Sequence, residues 1–364
     1  MTNSQSIAFR RQGSFFNLLL TWSVEVDRDM PWKKTKDAYA IWISEIILQQ
    51  TQVKQAIPYY LKFICTFPSA AALADADLDA VLKVWHGLGY YSRARNLHAA
   101  AKIIKKEYGS TIPNDFEALR KLPGIGEYTA GAIASFAFEL PYPAIDSNVI
   151  RFIARFLGII DVPQSKTLNQ YIKDFISNAY VNKNPALINQ ALIDFGATVC
   201  TAQNPMCSQC PFSSDCYAKS NDMIREIPVK KVKKSRRNRY FFYLFLSDNN
   251  HIILTQRENS DIWQGLMDLP SIELASNDAF DQNSFEVFNN ILSDMSLENL
   301  RVFKIEEKKQ TLTHQIIHTK IFFFEPQKIK EIKQPYFLAD RQKVSTFAFP
   351  KIITDTINLW VKTT

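Results

Sequence analysis

Four cysteines crowd residues 200–216 of this 364-residue chain: Cys200, Cys207, Cys210 and Cys216, with gaps of six, two and five residues. In a chain with no visible export signal, clustered thiols read as a metal or cluster site rather than as disulfides. Structural zinc usually uses two separate short pairs, or mixes Cys with His. Here there is one short pair and no His nearby. Four thiolates closing a compact loop suit one 4Fe-4S cluster, with zinc as the alternative. The fifth cysteine, Cys65, lies in the apolar stretch 61–67 and reads as a small buried side chain.

Two carboxylates suggest a second chemistry. Glu45 stands in Trp42-Ile43-Ser44-Glu45-Ile46-Ile47-Leu48. Burial in so apolar a helix would favour its neutral form, as a general acid requires, whereas a surface Glu would do nothing of the kind. Asp146, in Ala144-Ile145-Asp146-Ser147-Asn148-Val149, follows Pro141 and Pro143 and precedes a helix. Taken alone it reads as a helix cap. Cleaving an N-glycosidic bond would use both: positive charge builds on the sugar, the departing base needs a proton, and water completes the reaction.

A third feature is the turn Leu122-Pro123-Gly124-Ile125-Gly126, between two helical stretches. Its glycines let the backbone turn tightly, and the helix that follows points its N-terminal N–H groups outward, where a phosphate can dock. An ordinary glycine-rich helix turn is the alternative. The turn resembles the helix-hairpin-helix motif, here over residues 114–138, which grips the DNA backbone without reading sequence. The cysteine spacing likewise resembles that of the endonuclease III superfamily of DNA glycosylases.

The elements that must position these groups follow from periodicity. Apolar residues recur at helical spacing through about residue 224, with helices expected at 37–53, 77–86, 92–108, 115–121, 128–138, 148–157, 168–181 and 185–198. Residues 230–239 then hold seven Lys or Arg in ten positions. We read 225–239 as a basic linker, solvated or touching DNA phosphates. Beyond it the pattern turns to strands, at 240–246, 251–256, 311–318 and 320–324, with a helix near 284–293. The expected architecture is an all-α catalytic region, 1–224, followed by a smaller α+β domain, 240–364.

Composition agrees with folded domains: 46% of residues are apolar and 22% charged, with a net charge of +7 that is compatible with nucleic acid. The longest apolar runs are far too short to span a bilayer. With no signal peptide visible, a cytoplasmic location is expected, nucleoid-associated when acting, and a monomer.

The segments 44–53, 87–97, 122–134, 146–155 and 200–216 closely resemble the MutY family of adenine DNA glycosylases, a likeness covering most of residues 8–225. That resemblance implies an enzyme of base-excision repair. Its partner would be duplex DNA holding adenine opposite 8-oxoguanine or guanine, and its action would prevent G:C to T:A mutations. Glu45 would protonate N7 of adenine and later activate water, and Asp146 would stabilise the sugar cation. Tyr128 and Asn148 would support them, and Trp32 would wall a pocket for the flipped base. Gly124 and Gly126 would belong to the phosphate-gripping hairpin. Gln50 and Tyr90 would wedge into the stack beside the lesion, with Thr51 and Leu88 making local contacts. Lyase-competent relatives carry a Lys amine where this chain has Tyr128; a phenol forms no Schiff base, so a monofunctional, hydrolytic enzyme is expected.

The C-terminal part resembles the family's Nudix-like domain through Arg257 and Ile262-Trp263-Gln264-Gly265-Leu266, but lacks the acidic R-E-x-x-E-E core of active Nudix hydrolases. It would read the lesion through Thr313 and His314, although Leu312 stands where the family usually has Phe. Lys33 is another departure, from Arg. An isolated His314 would otherwise read as a strand-surface residue. Two rival readings fit the same motifs: an endonuclease III-like glycosylase-lyase for oxidised pyrimidines, and an iron–sulfur DNA-binding protein with a dead pocket.

Overall fold

The computed structural model describes residues 12–26, 28–161, 165–229, 235–258, 261–276, 291–292, 297, 300–324 and 332–362. Most of the helix expected at 284–293, and residues 230–234 of the basic run, lie outside them. The chain forms two compact units: Met1–Asp75 with Asn96–Val232, and Ala76–Arg95 with Lys233–Thr364. The segment 76–95 thus clusters with the C-terminal residues rather than with the sequence on either side of it.

The first unit is helical. In chain order it carries α1 (Gln12–Glu25), a 3-10 turn (Pro31–Lys34), α2 (Ala38–Leu48), α3 (Val53–Thr66) and α4 (Ala70–Asp75). α5 (Leu78–Trp85) belongs to the second unit, and α6 (Ser92–Glu107) starts there. Then come α7 (Phe116–Lys121), α8 (Glu127–Phe138), α9 (Ser147–Leu157), α10 (Lys166–Ser177), α11 (Pro185–Thr198) and the short α12 (Tyr217–Ser220).

The helix expected over 37–53 is shorter than periodicity suggested. Asp37 caps α2, accepting from Tyr39 N at 3.1 Å, but the helix stops at Leu48 and a new one starts at Val53. Gln50 between them takes a left-handed backbone, φ 58°. Cys65 is exposed, against the expectation of burial. On α3 the buried residues Ala56, Tyr60 and Phe63 mark the inner stripe, and Cys65 falls outside it.

α2 packs against α8, and α11 against both α9 and α1. Gly196 on α11 makes one of these contacts close: a Cβ there would lie 2.5 Å from the Asn148 carbonyl oxygen. The core of α9 and α11 is aromatic, with Phe152 and Phe195 ring centroids 4.3 Å apart.

The second unit holds two sheets. β1 (Arg237–Phe245) lies centrally, antiparallel to β4 (Ser271–Leu274) and parallel to β6 (Gln315–Phe324), which pairs with β5 (Val302–Thr311). β2 (His251–Gln256) is flanked by β3 (Met267–Asp268) and β7 (Tyr336–Asp340). Short α13 (Arg341–Val344) and α14 (Lys351–Lys362) close the chain. The strand expected over 311–318 is in fact a hairpin: β5 ends at Thr311, the chain turns, and β6 restarts at Gln315 and runs through 320–324. No described helix is long and apolar enough to cross a membrane.

Candidate active site

Glu45 sits on α2 with 6% of its surface exposed, among Ile41, Trp42, Ile43, Ile46 and Ile47, all buried. Burying each such apolar side chain contributes about 1.5–3 kcal/mol, which offsets the cost of taking one carboxyl out of water. That burial pushes the Glu45 carboxyl up to about 7; a hydrogen bond with Tyr128 opposes the shift, and the charge of Asp146 adds to it. Among the described residues Glu45 Oε2 has no hydrogen-bond partner.

Tyr128 comes from the first turn of α8, which α2 packs against. Burial, reinforced by Glu45 and Asp146, holds its phenol well above the usual range, so it stays protonated and donates. The helix starts where it does because of the turn before it. Gly124 has φ 78°, a conformation costly for other residues, and a Cβ there would lie 2.9 Å from Asn96 Cβ. Gly126 caps α8 in extended conformation, φ −87°, with open space around it.

Asp146 caps α9: its Oδ1 accepts from Asn148 N at 2.9 Å and Val149 N at 2.8 Å, and its Oδ2 from Asn148 Nδ2 at 2.6 Å. Burial raises its carboxyl above the ordinary value, against the pull of those hydrogen bonds. The cap and the catalytic candidate are therefore the same residue. Asn148 is held in turn by Arg151, whose Nη2 donates to Asn148 Oδ1 at 2.9 Å and to the Gly196 carbonyl at 2.6 Å. Arg151 Nε donates to the Cys200 carbonyl at 2.7 Å. Sequence reasoning missed Arg151; its spacing of three from Asn148 on one helix face was the available signal.

A cavity of about 820 Å³ opens beside Tyr128 and Asp146, with Arg151, Arg155, Lys173 and Arg225 also lining it. Glu127 lines it as well and pairs with Lys173 at 3.1 Å, so four cations face two carboxylates, an excess that suits a polyanion more than an apolar ligand.

Cys200, Cys207, Cys210 and Cys216 line one small cavity together with Phe152, Val199 and Phe212. Among the described residues no three His, Cys, Asp or Glu side chains converge tightly enough to hold a single metal ion. The four thiols line one cavity and are a donor set that fits a 4Fe-4S cluster. Arg155, 3% exposed, braces the loop: it donates to the carbonyls of Thr201 at 2.7 Å, Ala202 at 3.2 Å and Ile227 at 3.0 Å, and lies 3.5 Å from Cys200 Sγ.

Trp32 is buried on the 3-10 turn, edge-on to Tyr60 at 5.3 Å. Its neighbour Lys33 reaches Asp194 Oδ2 at 2.5 Å, and Arg28 reaches Asp194 Oδ1 at 2.6 Å. Lys33 thus has a carboxylate to bind despite departing from Arg.

The remaining candidates divide between the units. Gln50 is exposed and Thr51 half-buried in the first. In the second, Tyr90 is 39% exposed with φ 48°, whereas Leu88 is buried. Thr313 and His314 are exposed at the β5–β6 turn, and the Thr313 hydroxyl is hydrogen-bonded to that of Tyr90.

Residues 43–178 match the family model described as HhH-GPD superfamily base excision DNA repair protein. The chain is 38% identical over 314 residues to the adenine DNA glycosylase of Buchnera aphidicola subsp. Baizongia pistaciae, covering 84% of each. Its similarity to the human adenine DNA glycosylase is 41% over 215 residues, 57% of this chain and 39% of that protein. Among solved structures, a thermostable thymine-DNA glycosylase aligns with TM-score 0.53 at 25% identity, over 58% of this chain and 98% of its own.

Proposed function

The chain belongs to the adenine DNA glycosylases of base-excision repair, and from that premise we propose that it hydrolyses adenine from duplex DNA where the base faces 8-oxoguanine or guanine. One observation carries the reading of the chemistry: a carboxyl pushed up to about 7 by burial, in contact with a neutral phenol and near a second carboxylate held by an N-cap. Two carboxyls in environments this different take different roles.

Glu45 donates its proton to the purine at N7, drawing electrons from the C1′–N9 bond as it breaks. Asp146, whose ionised form is the one its three hydrogen bonds favour, would stabilise the positive charge that develops on the sugar. Glu45, now a carboxylate, takes a proton from the water that attacks C1′. Adenine leaves and an abasic site remains. Tyr128 stands where an amine would be needed for a Schiff base, so the strand stays intact. Cys200, Cys207, Cys210 and Cys216 would hold one 4Fe-4S cluster, which would staple the loop 200–216 rather than enter the reaction. The C-terminal unit, lacking the acidic run of active Nudix hydrolases, would act as a Nudix-like reader of the opposite base through Tyr90, Thr313 and His314, which its own fold brings together.

The test is incubation of excess protein with a duplex holding one adenine opposite 8-oxoguanine, beside A·G, A·T and thymine-glycol duplexes, scoring breaks with and without hot alkali. Breaks only after alkali, on the A·8-oxoguanine and more slowly on the A·G duplex, are expected. Breaks on thymine glycol without alkali would replace this reading with a glycosylase-lyase. No product on any duplex would leave a DNA-binding protein.

A further inference from the structure

The β5–β6 turn carries Thr313 and His314, yet nothing in its own sequence fixes it. Leu312-Thr313-His314-Gln315 has no Gly, Asn or Pro, the residues that set tight hairpin geometry. One backbone bond closes it, Leu312 N to the Gln315 carbonyl at 2.8 Å. Its orientation must come from tethers to β1 and the residues before it. Arg237 N donates to the His314 carbonyl at 3.1 Å and Arg236 Nε to the Thr313 carbonyl at 3.4 Å. The third tether is a side-chain pair, Arg239 Nη1 to Gln315 Oε1 at 3.2 Å.

Arg239 is itself immobilised. It is 9% exposed and lies over the Phe241 ring at 4.7 Å. Its guanidinium makes two bonds to Glu273, both 2.7 Å, and two to Asp261, 2.8 and 3.1 Å. With Gln315 these engage its full complement of five N–H donors. Asp261 also accepts from Arg257 Nη2 at 2.9 Å, and opens the loop in which the Gln264 carbonyl accepts from Arg95 at 2.6 Å. Arg95 follows shortly after Tyr90, whose hydroxyl meets Thr313. The contacts form a ring: hairpin, Gln315, Arg239, Asp261, Gln264, Arg95, Tyr90 and back to the hairpin.

We propose that Arg239, acting through Gln315, is a positioning residue that sets the Thr313–His314 hairpin against Tyr90, so that the surface meeting the base opposite adenine is assembled before DNA arrives. The inference rests on the reading of that surface given under Proposed function. A guanidinium saturated by two carboxylates and an amide is a rigid anchor, whereas a lone lysine would swing. Preassembly spares the cost of ordering an exposed turn on binding, and that saving goes to the duplex whose opposite base fits.

Gln315→Met tests it, since it removes the acceptor, keeps the length and leaves both carboxylates on Arg239. Single-turnover excision is measured for adenine opposite 8-oxoguanine and opposite guanine, with thermal unfolding alongside. The preference for the lesion should fall roughly three- to tenfold, the scale of one ordinary hydrogen bond, with the A·G rate and the unfolding midpoint unchanged. Arg239→Lys, which keeps the cation but not the fork, should lower the preference likewise. An unchanged preference in Gln315→Met, or an equal loss on both duplexes, overturns the positioning role alone. A parent protein with no preference between the two duplexes overturns the reading of the surface, and this inference with it.

Discussion

Glu45 and Arg239 are both buried and both ionisable, and the two units treat them in opposite ways. On α2 the carboxyl is left short of partners: one oxygen has none among the described residues, and the shift toward 7 follows from burial. On β1 the guanidinium has a partner for every donor, and Glu273 and Asp261 hold it firmly in the charged form. A group that must give up and regain a proton gains from being underserved, because neither of its states is then strongly favoured. A group whose task is to stay put gains from saturation.

Changes to each should therefore break different things. The largest effect should come from Glu45→Gln, which keeps the shape and removes the proton. Excision should fall by roughly 10²–10⁴-fold with DNA binding retained, as single-turnover rates beside a binding titration would reveal; activity within a few-fold of the parent would remove Glu45 from the chemistry. Next is Arg239→Ala. It leaves Glu273 without its cation and Asp261 with Arg257 alone, and should cost about 1–3 kcal/mol of stability in the second unit, seen as an early unfolding transition. An unchanged transition would contradict the saturated-anchor account.

A smaller effect concerns pH. Between the ordinary carboxyl range and about 7 the unfolded chain has lost the Glu45 proton while the folded chain keeps it. Folding therefore becomes less favourable as pH rises through that window. Glu45→Gln, which never ionises, should be more stable than the parent above pH 7 by about 1–3 kcal/mol, an advantage that vanishes near pH 4. Denaturant unfolding at both pH values checks this, and a constant difference would refute it. The smallest effect should be that of Tyr128→Phe. The Tyr128 hydrogen bond holds the Glu45 carboxyl down, so its loss should move the alkaline limb of the pH–rate profile upward by roughly half to one unit. A downward move would show that the phenol acts otherwise.

The helices around the carboxylates were legible because α2, α8, α9 and α11 keep their local signals: Asp37, Gly126, Asp146 and Asn184 stand at their starts. What the sequence hid lay in long-range contacts. Nothing in residues 76–95 announces that they cluster with the stretch from Lys233 onward. The hairpin at 312–315 looks like continuous strand in the sequence because its turn lacks turn residues and its tethers, Arg239 and Arg237, lie far away on β1. The break after Leu48 was equally silent, since Gln49 and Gln50 are good helix formers and tertiary context overrides them. The apolar neighbours of Cys65 suggest burial, whereas the buried stripe through Tyr60 and Phe63 leaves it outside.

Gln50 and Tyr90 share a feature with consequences for anyone sorting variants of this protein. Both hold positive φ without being glycine, at 58° and 48°, and both present their side chains outward. Each position costs the folded chain of order 1 kcal/mol that glycine would relieve. A library selected for folding or expression would drift toward glycine at both sites and score the change as an improvement. On the function proposed above, the same library selected for excision of mispaired adenine would hold on to the amide and the ring. Positions where the two selections pull apart mark where the chain gives up stability to keep a side chain in contact with something outside itself.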